Sequence, residues 1–401
     1  VREETFSKQK KDWPHTPFGD VVHQVKDRVD PATSGLTRYV AGEHMDTDDL
    51  RLRRWGEIGS DYLGPAFHMR FRPGHVLYGS RRTYLRKVAV ADFEGICANT
   101  TFVLEPKDPA VLLPEFLPFV MQTEAFHDHS IKQSKGSVNP YINFSDLAWY
   151  EFPLPPPDEQ RRLVEVLQTF RDTEEALREC TNSSEILESS FFVAQFGRYF
   201  DTLRTWEPIP LGDLAIVQSG VAKGRPQEPG VTVEKRYITV SNVQDGFLDL
   251  TDVKTITVEK DKVSRYLLQV GDVLMTEGGD PDKLGRGTVW EGQISDCVHQ
   301  NHIFAVRPDQ TRLNSWFLAA AAKSPYGKDY FLACAKRTSN LATINKQQVR
   351  SFLVPNYDME TQSSLVAHWQ AIRRASVRLR ERTRQTHLAY ARFLNSTFES
   401  D

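Results

Sequence analysis

Pro155-Pro-Pro-Asp-Glu-Gln-Arg-Arg-Leu-Val-Glu-Val-Leu-Gln-Thr-Phe170 opens a run, Asp158 to Phe196, that holds neither glycine nor proline. Apolar or small residues fall at Leu163, Val166, Phe170, Thr173, Leu177, Cys180, Ser184, Leu187, Phe191 and Ala194. Steps alternating between three and four are the a/d seam of a heptad, so one long helix is expected. Pro153, Pro155, Pro156 and Pro157 cannot lie inside it, and Asp158 is placed to cap its first turn. At about 1.5 Å per residue it would run roughly 58 Å.

A second run follows Pro355, with a stripe at Leu365, Trp369, Ile372, Ser376, Leu379, Thr383, Thr386, Tyr390 and Phe393. Two long, narrow stripes in one chain bury best against each other, which predicts a coiled coil between the helices. The alternative is that each helix packs on its own globular domain.

The two helices belong to a repeat of the whole chain. Trp13, Pro17, Gly19 and Asp20 return as Trp206, Pro210, Gly212 and Asp213, an offset of 193. Asn99, Phe102 and Pro106 return as Asn301, Phe304 and Pro308, an offset of 202. The same offset carries Ile142-Asn143 to Ile344-Asn345, Pro153 to Pro355, Gln160 to Gln362, and Phe191 and Phe196 to Phe393 and Phe398. An internal duplication suits a two-sided task, such as reading two parts of one long ligand.

Each helix is preceded by a mixed α/β segment. Strand-like runs include 76–78, 88–90, 102–104, 237–240, 273–275 and 303–306, with short helical patterns near 112–122 and 314–323. The expected order is domain 13–155, helix 156–200, domain 201–357, helix 358–398.

A chain of 401 residues with 40% hydrophobic and 26% charged residues is an ordinary globular protein with enough length for several cores. It lacks any run of 18 apolar residues, and Val1 to Lys11 is polar and mixed in charge. The expectation is therefore a cytoplasmic protein without a membrane span. Its four cysteines, Cys97, Cys180, Cys297 and Cys334, are too dispersed for a disulfide framework or structural zinc. A net charge of -3 is unusual for a nucleic-acid binder. Any DNA-binding face must therefore gather cations locally, with partner subunits helping to grip the backbone.

With these patterns in place, Gly79-Ser-Arg-Arg-Thr-Tyr-Leu-Arg-Lys through Pro106 resembles a target-recognition domain of type I restriction-modification specificity subunits. So do Gly136-Ser-Val-Asn-Pro-Tyr-Ile-Asn143 and the run from Phe152 to Arg162 that enters the helix. Leu211-Gly-Asp213, Val270-Gly-Asp-Val-Leu274, Ile344-Asn345 and Pro355 are similar but more degenerate. The resemblance covers about residues 13–398. It implies two α/β (α+β) target-recognition domains in a pseudo-two-fold repeat, separated by two long antiparallel coiled-coil helices. It also implies a non-catalytic subunit reading a bipartite, asymmetric double-stranded DNA site, with the helices setting the unread spacer. The implied partners are two modification (methyltransferase) subunits and two restriction-translocase subunits. Those partners would carry S-adenosylmethionine, ATP and Mg²⁺, leaving no cofactor on this chain.

DNA recognition needs cations for phosphates and planar donors for base edges. Arg81, Arg82, Tyr84, Arg86 and Lys87 concentrate four cations and an aromatic in seven residues. Lys132, Lys135, Ser137, Asn139 and Tyr141 make a second basic and polar loop with the freedom of Gly136. In the second half Lys336, Arg337, Ser339, Asn340 and Lys346 match it, and Lys223, Arg225, Lys283 and Arg286 lie in glycine-rich stretches. Asn143 and Asn345 are expected to fix their loops through side-chain to backbone bonds instead of reading bases. Leu163, Val166, Phe170, Leu177, Leu187, Phe191, Leu365, Trp369, Ile372, Leu379, Tyr390 and Phe393 are the expected helix-pairing side chains.

Other chemistries lack their residues. Asn139-Pro140-Tyr141 lacks a proline of the amino-methyltransferase motif, and no glycine-rich cofactor loop precedes it. The glycines between Gly278 and Gly287 do not spell a P-loop. Asp280, Asp282 and Glu291 are not followed by the acidic-x-Lys of a nuclease, and the pairs His127/His129 and His299/His302 lack a third metal ligand. The competing reading is a coiled-coil scaffold that assembles other proteins without reading sequence. It would show neither steep salt dependence nor preference for a cognate duplex.

Overall fold

The computed structural model describes residues 13–60, 63–201, 206–222, 231–280, 284–337 and 341–398. The chain divides into two compact units: unit 1 is Val1–Arg178 with Glu381–Asp401, and unit 2 is Glu179–Arg380. Both long helices therefore contribute to both units.

In unit 1, strands Val22–Val25, Thr101–Pro106, Val76–Gly79 and Val88–Val90 form one antiparallel sheet in that spatial order. A second sheet runs Gly56–Glu57, Arg38–Val40, Gly95–Ala98, Phe67–Phe71, with Tyr39 and Ile96 in parallel register. Side chains alternate across a strand, and here both faces are buried. Leu77, Ala89 and Val103 meet Val40, Phe71 and Cys97 of the second sheet. Tyr78, Val88 and Leu104 face a helical core of Phe116, Phe119 and Phe126. That two-sided burial explains why these strands read as continuous apolar runs.

Unit 2 repeats the plan. Ala215–Ser219, Ile303–Pro308, Val273–Thr276 and Gly287–Val289 form its four-stranded sheet. Lys254–Glu259, Thr232–Ile238 and Cys297–His299 form the second sheet, again with one parallel pair, Tyr237 to Val298. Leu274 and Ala305 face this second sheet, and Val273, Phe304 and Val306 face the helices. The short helices lie slightly off their expected positions: Leu117–Val120 and Glu124–Lys132 in unit 1, Ser315–Lys323 in unit 2.

The long helices span Pro157–Phe196 and Met359–Phe398. Each is tied to its own lobe by a buried glutamine. Gln160 accepts from Leu113 N at 2.8 Å and donates to Val111 O and Pro155 O, both at 2.8 Å. Gln362 accepts from Asn314 N at 2.8 Å and donates to Arg312 O at 3.0 Å and Tyr357 O at 2.8 Å. A two-stranded ribbon sits beside each junction, His15–Pro17 with Glu151–Pro153 and Pro208–Pro210 with Leu353–Pro355.

Within each unit the two helices pair antiparallel. In unit 1 the Phe170 ring lies 6.2 Å from Tyr390 and 5.9 Å from Phe393, and Glu174 is 3.2 Å from His387. In unit 2 Phe192 lies 5.7 Å from Trp369, whose indole N–H donates to Glu188 at 2.7 Å, and the Ser184 and Ser376 hydroxyls are 2.6 Å apart. Both expected packings occur, because the helices also enter the lobe cores: Leu163, Leu167, Leu394 and Phe398 in unit 1, Phe196, Val366 and Trp369 in unit 2.

The seam of the first helix differs from the expected one at every second position. Val166 is 41% and Leu187 is 55% exposed, while Leu167, Glu174, Thr181 and Glu188 turn inward. A four-then-three step keeps Phe170, Leu177, Ser184 and Phe191 but exchanges their partners. The reason is polar pairing: Glu174 and Glu188 have facing donors in His387 and Trp369. In the second helix Leu365, Ile372, Leu379 and Phe393 are half-buried, and Trp369 and Tyr390 are buried.

An ion network ties unit 1 to its own helix. Arg53 donates to Asp49 at 2.8 Å and to both Glu175 oxygens at 2.9 and 2.5 Å, and Arg171 donates to Asp49 at 2.9 Å. The Arg53 hydrogen bonds hold the Glu175 carboxyl below its usual range. A depressed folded value means stability present above the ordinary glutamate pKa and lost as pH falls through the folded one. Glu175→Gln is therefore expected to flatten the acid limb of a melting-temperature profile. The change should be under about 1 kcal/mol for a partly solvated pair, and an unaltered limb would exclude the role.

Among the described residues no helix is long and apolar enough to cross a membrane. Cys97 and Cys297 are buried, and burial pushes both thiols up to about 12. Cys180 is exposed.

Candidate nucleic-acid interface

In unit 1 two basic segments more than forty residues apart are joined by backbone bonds. Arg81 bridges to Tyr141, and Tyr141 bridges to Lys135 through reciprocal bonds of 2.8 and 2.9 Å. Arg82 N donates to Pro140 O at 2.6 Å, and Ile142 N donates to Ser80 O at 2.9 Å. Thr83 and Ser134 hydroxyls, 2.7 Å apart, close the base of this assembly. Gly136 supplies the turn with φ +90, a value side-chain-bearing residues rarely adopt. The short helix Thr83–Leu85 is bracketed by Arg82 and Arg86, both left-handed at φ 52 and 51. Non-glycine residues in that region carry a strain the surrounding bonds must hold.

The side chains on this ribbon divide into two sets. Arg81, Arg82, Tyr84, Lys135, Ser137, Asn139 and Tyr141 are exposed. Arg82 Nε donates to the Tyr84 hydroxyl at 2.9 Å and its guanidinium lies 5.7 Å from that ring, which keeps one planar donor over one aromatic face. Lys135 is held at 2.8 Å by Asp146, and Lys132 reaches Asp128 at 3.5 Å. Arg86 and Lys87 turn back into the fold. Arg86 donates to Asp48 at 2.9 Å and to both Glu124 oxygens at 3.0 and 2.8 Å, and Lys87 donates to Gly42 O. Burial pulls the Lys87 ammonium below its usual range. A guanidinium already paired with two carboxylates has little left for phosphate, so in this structure Arg86 is committed to the scaffold and Lys87 to a backbone carbonyl.

Unit 2 builds the same ribbon in strand form: Gly278–Gly279 pairs with Ala342–Thr343, which pairs with Lys336–Arg337. Ile344 N donates to Glu277 O at 2.8 Å, the counterpart of the Ile142 to Ser80 bond. Gly278 sits where unit 1 has Arg81, and a side chain there would meet Thr343 Cγ2 at 2.9 Å. Lys336, Arg337 and Lys346 are exposed, and Arg337 donates to Leu332 O at 3.1 Å. Arg286 lies beside this ribbon, its backbone carbonyl accepting from Thr276 N at 3.1 Å. Lys223, Arg225, Lys283, Ser339 and Asn340 lie outside the described residues.

Asn345 caps helix Lys346–Arg350 as its sequence suggests, accepting from Gln348 N at 2.9 Å. Its own N–H donates to Gln348 Oε1 at 2.7 Å, and Asn143 N donates in the same way to Asp146 Oδ2 at 3.3 Å, with the Asn143 amide donating to that oxygen at 3.2 Å. The four histidines also take up separate duties. His127 and His299 are buried, and burial pushes their pKa values down to about 3 and about 4. His129 Nε2 lies 2.7 Å from Asp146 O, and His302 Nδ1 lies 2.5 Å from Glu277 Oε2, beside the unit 2 ribbon. Sequence reading missed the Glu277–His302 pair. Its one signal was a carboxylate abutting the Gly278-Gly279 dipeptide.

Comparison with known proteins follows the same lines. Residues 67–187 match the type I restriction modification DNA specificity domain. The chain is 22% identical over 163 residues to a putative type I restriction enzyme MjaX specificity subunit of Methanocaldococcus jannaschii, covering 40% of this chain and 37% of the relative. It is 29% identical over 164 residues to the type I restriction enzyme EcoDI specificity subunit of Escherichia coli, covering 40% and 36%. These matches thus span little more than a third of either relative. Over the full fold, the chain superposes on one from a type I R-M system structure concerned with complex assembly, with TM-score 0.57, 19% identity and 96% of both chains covered. It also superposes on a type I restriction-modification S subunit from M. genitalium, with TM-score 0.58, 13% identity and 97% of both chains covered.

Proposed function

We propose, from the premise that this chain belongs to the type I restriction-modification specificity family, that it reads a bipartite, asymmetric DNA site, one part through each unit. The observation that carries the reading is the ribbon built twice, Arg81/Lys135/Tyr141 and Gly278/Arg337/Thr343, on lobes of like topology with unlike side chains. Like backbones present two recognition surfaces, and unlike side chains give them different targets. Arg81, Arg82 and Lys336, without a carboxylate partner among the described residues, supply cations for phosphates. The Tyr84 hydroxyl and Asn139 amide supply directional groups for base edges.

The subunit contributes no catalytic group. Methyl transfer belongs to two modification subunits carrying S-adenosylmethionine, and ATP- and Mg²⁺-dependent translocation and cleavage to two restriction subunits. This chain supplies them with an address on double-stranded DNA. The paired helices set the length of unread sequence between the two parts.

Exchanging residues 13–155 for those of a subunit of different specificity is expected to change one half of the methylated site and leave the other intact. Adding one turn to both helices is expected to lengthen the unread spacer while keeping both halves. Sequencing that maps methylated adenines across a genome reads both outcomes. A methylation pattern indifferent to the exchange would overturn the proposal.

A further inference from the structure

Each unit holds a groove between its lobe and its own long-helix segment, and the repeat puts equivalent residues in both. Gln168 and Arg171 line the groove of unit 1, and Gln370 and Arg373, each 202 positions on, line that of unit 2. The two arginines are treated oppositely. Arg171 is buried against Asp49 at 2.9 Å, within the network that also joins Arg53 and Glu175. Arg373 donates to the Gly246 carbonyl and lies over two indoles, 5.4 Å from Trp316 and 6.0 Å from Trp369.

The rest of the unit 2 groove sharpens the contrast. It measures about 550 Å³, and Arg374 and Arg378, one helical turn apart, stand exposed at its rim. Among the described residues none of these three arginines is ion-paired, and Glu291 is the lone acidic residue of the lining. The walls are apolar: Phe247, Leu248, Leu250, Val289 and Val377, with Phe247 and Val377 more than half exposed. Unit 1 meets Arg171 with the carboxylate of Asp49, whereas unit 2 sets Arg373 on a carbonyl and two indoles. At the same offset Arg374 and Arg378 replace Asp172 and Ala176, so unit 2 gains two exposed cations beside hydrocarbon where unit 1 has a carboxylate and a methyl group.

We propose that this groove of unit 2 is a docking site for an acidic, apolar-studded peptide segment of a partner protein. Charge complementarity assigns the carboxylates to Arg374 and Arg378, and the apolar side chains to the Phe247–Val377 cleft. A duplex would use the arginines but leave the hydrocarbon wet, because a rod of nucleic acid has nothing to place in a cleft of this size. Aromatic side chains beside arginine, here Phe247 and Trp316 with Arg374 and Arg378, are enriched at protein-binding surfaces. The inference stands apart from the DNA reading, since it concerns neither ribbon.

The test is fluorescence anisotropy on the full chain with a fluorescein-labelled Asp-Phe-Glu-Leu-Asp-Glu peptide and an analogue carrying Lys at each acidic position. The acidic peptide is expected to bind and the lysine analogue not. Arg374→Glu with Arg378→Glu, at exposed positions that leave folding intact, is expected to weaken binding at least 10-fold. Phe247→Ser should weaken it separately, and Arg162→Glu on the first helix should leave it unchanged. A molar excess of duplex should not displace the peptide. Absence of binding, indifference to the two reversals, or displacement by duplex would each overturn the proposal. None of these outcomes bears on methylation-site mapping, so the two readings fail separately.

Discussion

Reversing Arg81 and Arg82 together to Glu is expected to lower affinity for a target duplex on the order of 100-fold, about 2.7 kcal/mol. These two cations stand exposed on the unit 1 ribbon without a carboxylate partner among the described residues. Every phosphate left unneutralised should also lower the slope of log affinity against log salt by about 0.9, so the double variant should give up roughly 2 of it. Anisotropy titrations between low and moderate salt measure both quantities. Arg86→Gln is the internal control. That guanidinium spends its donors on Asp48 and Glu124, so its loss should lower melting temperature and leave the salt slope alone. If Arg86→Gln moved the slope and the double reversal did not, the cations would have been assigned backwards.

Gln160→Leu is expected to destabilise unit 1 by about 3 kcal/mol, with little effect on unit 2. The substitution keeps much of the volume but strands Leu113 N, Val111 O and Pro155 O in a dry junction. A buried N–H without a partner costs about 1–3 kcal/mol, and two carbonyls deprived of their donor add to it. For a unit near 200 residues, melting should fall by roughly 6–12 °C. Gln160→Glu should be worse, because it replaces the amide donor with a carboxylate oxygen facing two carbonyls. Hydrogen exchange resolved by peptide would localise the loss to residues 13–178 for Gln160 variants and to 206–380 for Gln362→Leu. Equal loss in both units from either single change would refute independent anchoring.

The helices, the internal duplication and the two basic segments of unit 1 were legible in the sequence because each rests on local patterning. A 3.6-residue period, a repeated spacing and a cluster of cations need no knowledge of what lies across the fold. The failures share the opposite cause. Val166 and Leu187 look like seam residues by hydropathy alone, and Glu174 and Glu188 become seam residues through His387 and Trp369, more than 180 positions away. Arg86 looked as available as Arg82 until Asp48 and Glu124 arrived from other parts of the fold. Gln160 and Gln362 were visible as a repeated residue but not as pegs, since backbone acceptors leave no mark in a sequence. Nothing local distinguishes Arg171, bonded to the Asp49 carboxylate, from Arg373, bonded to a carbonyl and stacked on indoles, because their difference lies in loops that diverged between the halves.

Unit 1 is assembled from two separated stretches, with Tyr390, Leu394 and Phe398 set into the same core as Tyr78 and Phe116. On the ribosome, then, the lobe that emerges first is the one completed last. Unit 2 is continuous from Glu179 to Arg380 and can close while unit 1 still waits for its missing wedge. A nonsense codon after Arg380 would leave a finished second lobe joined to a first with an open flank, a product for quality-control proteases to find.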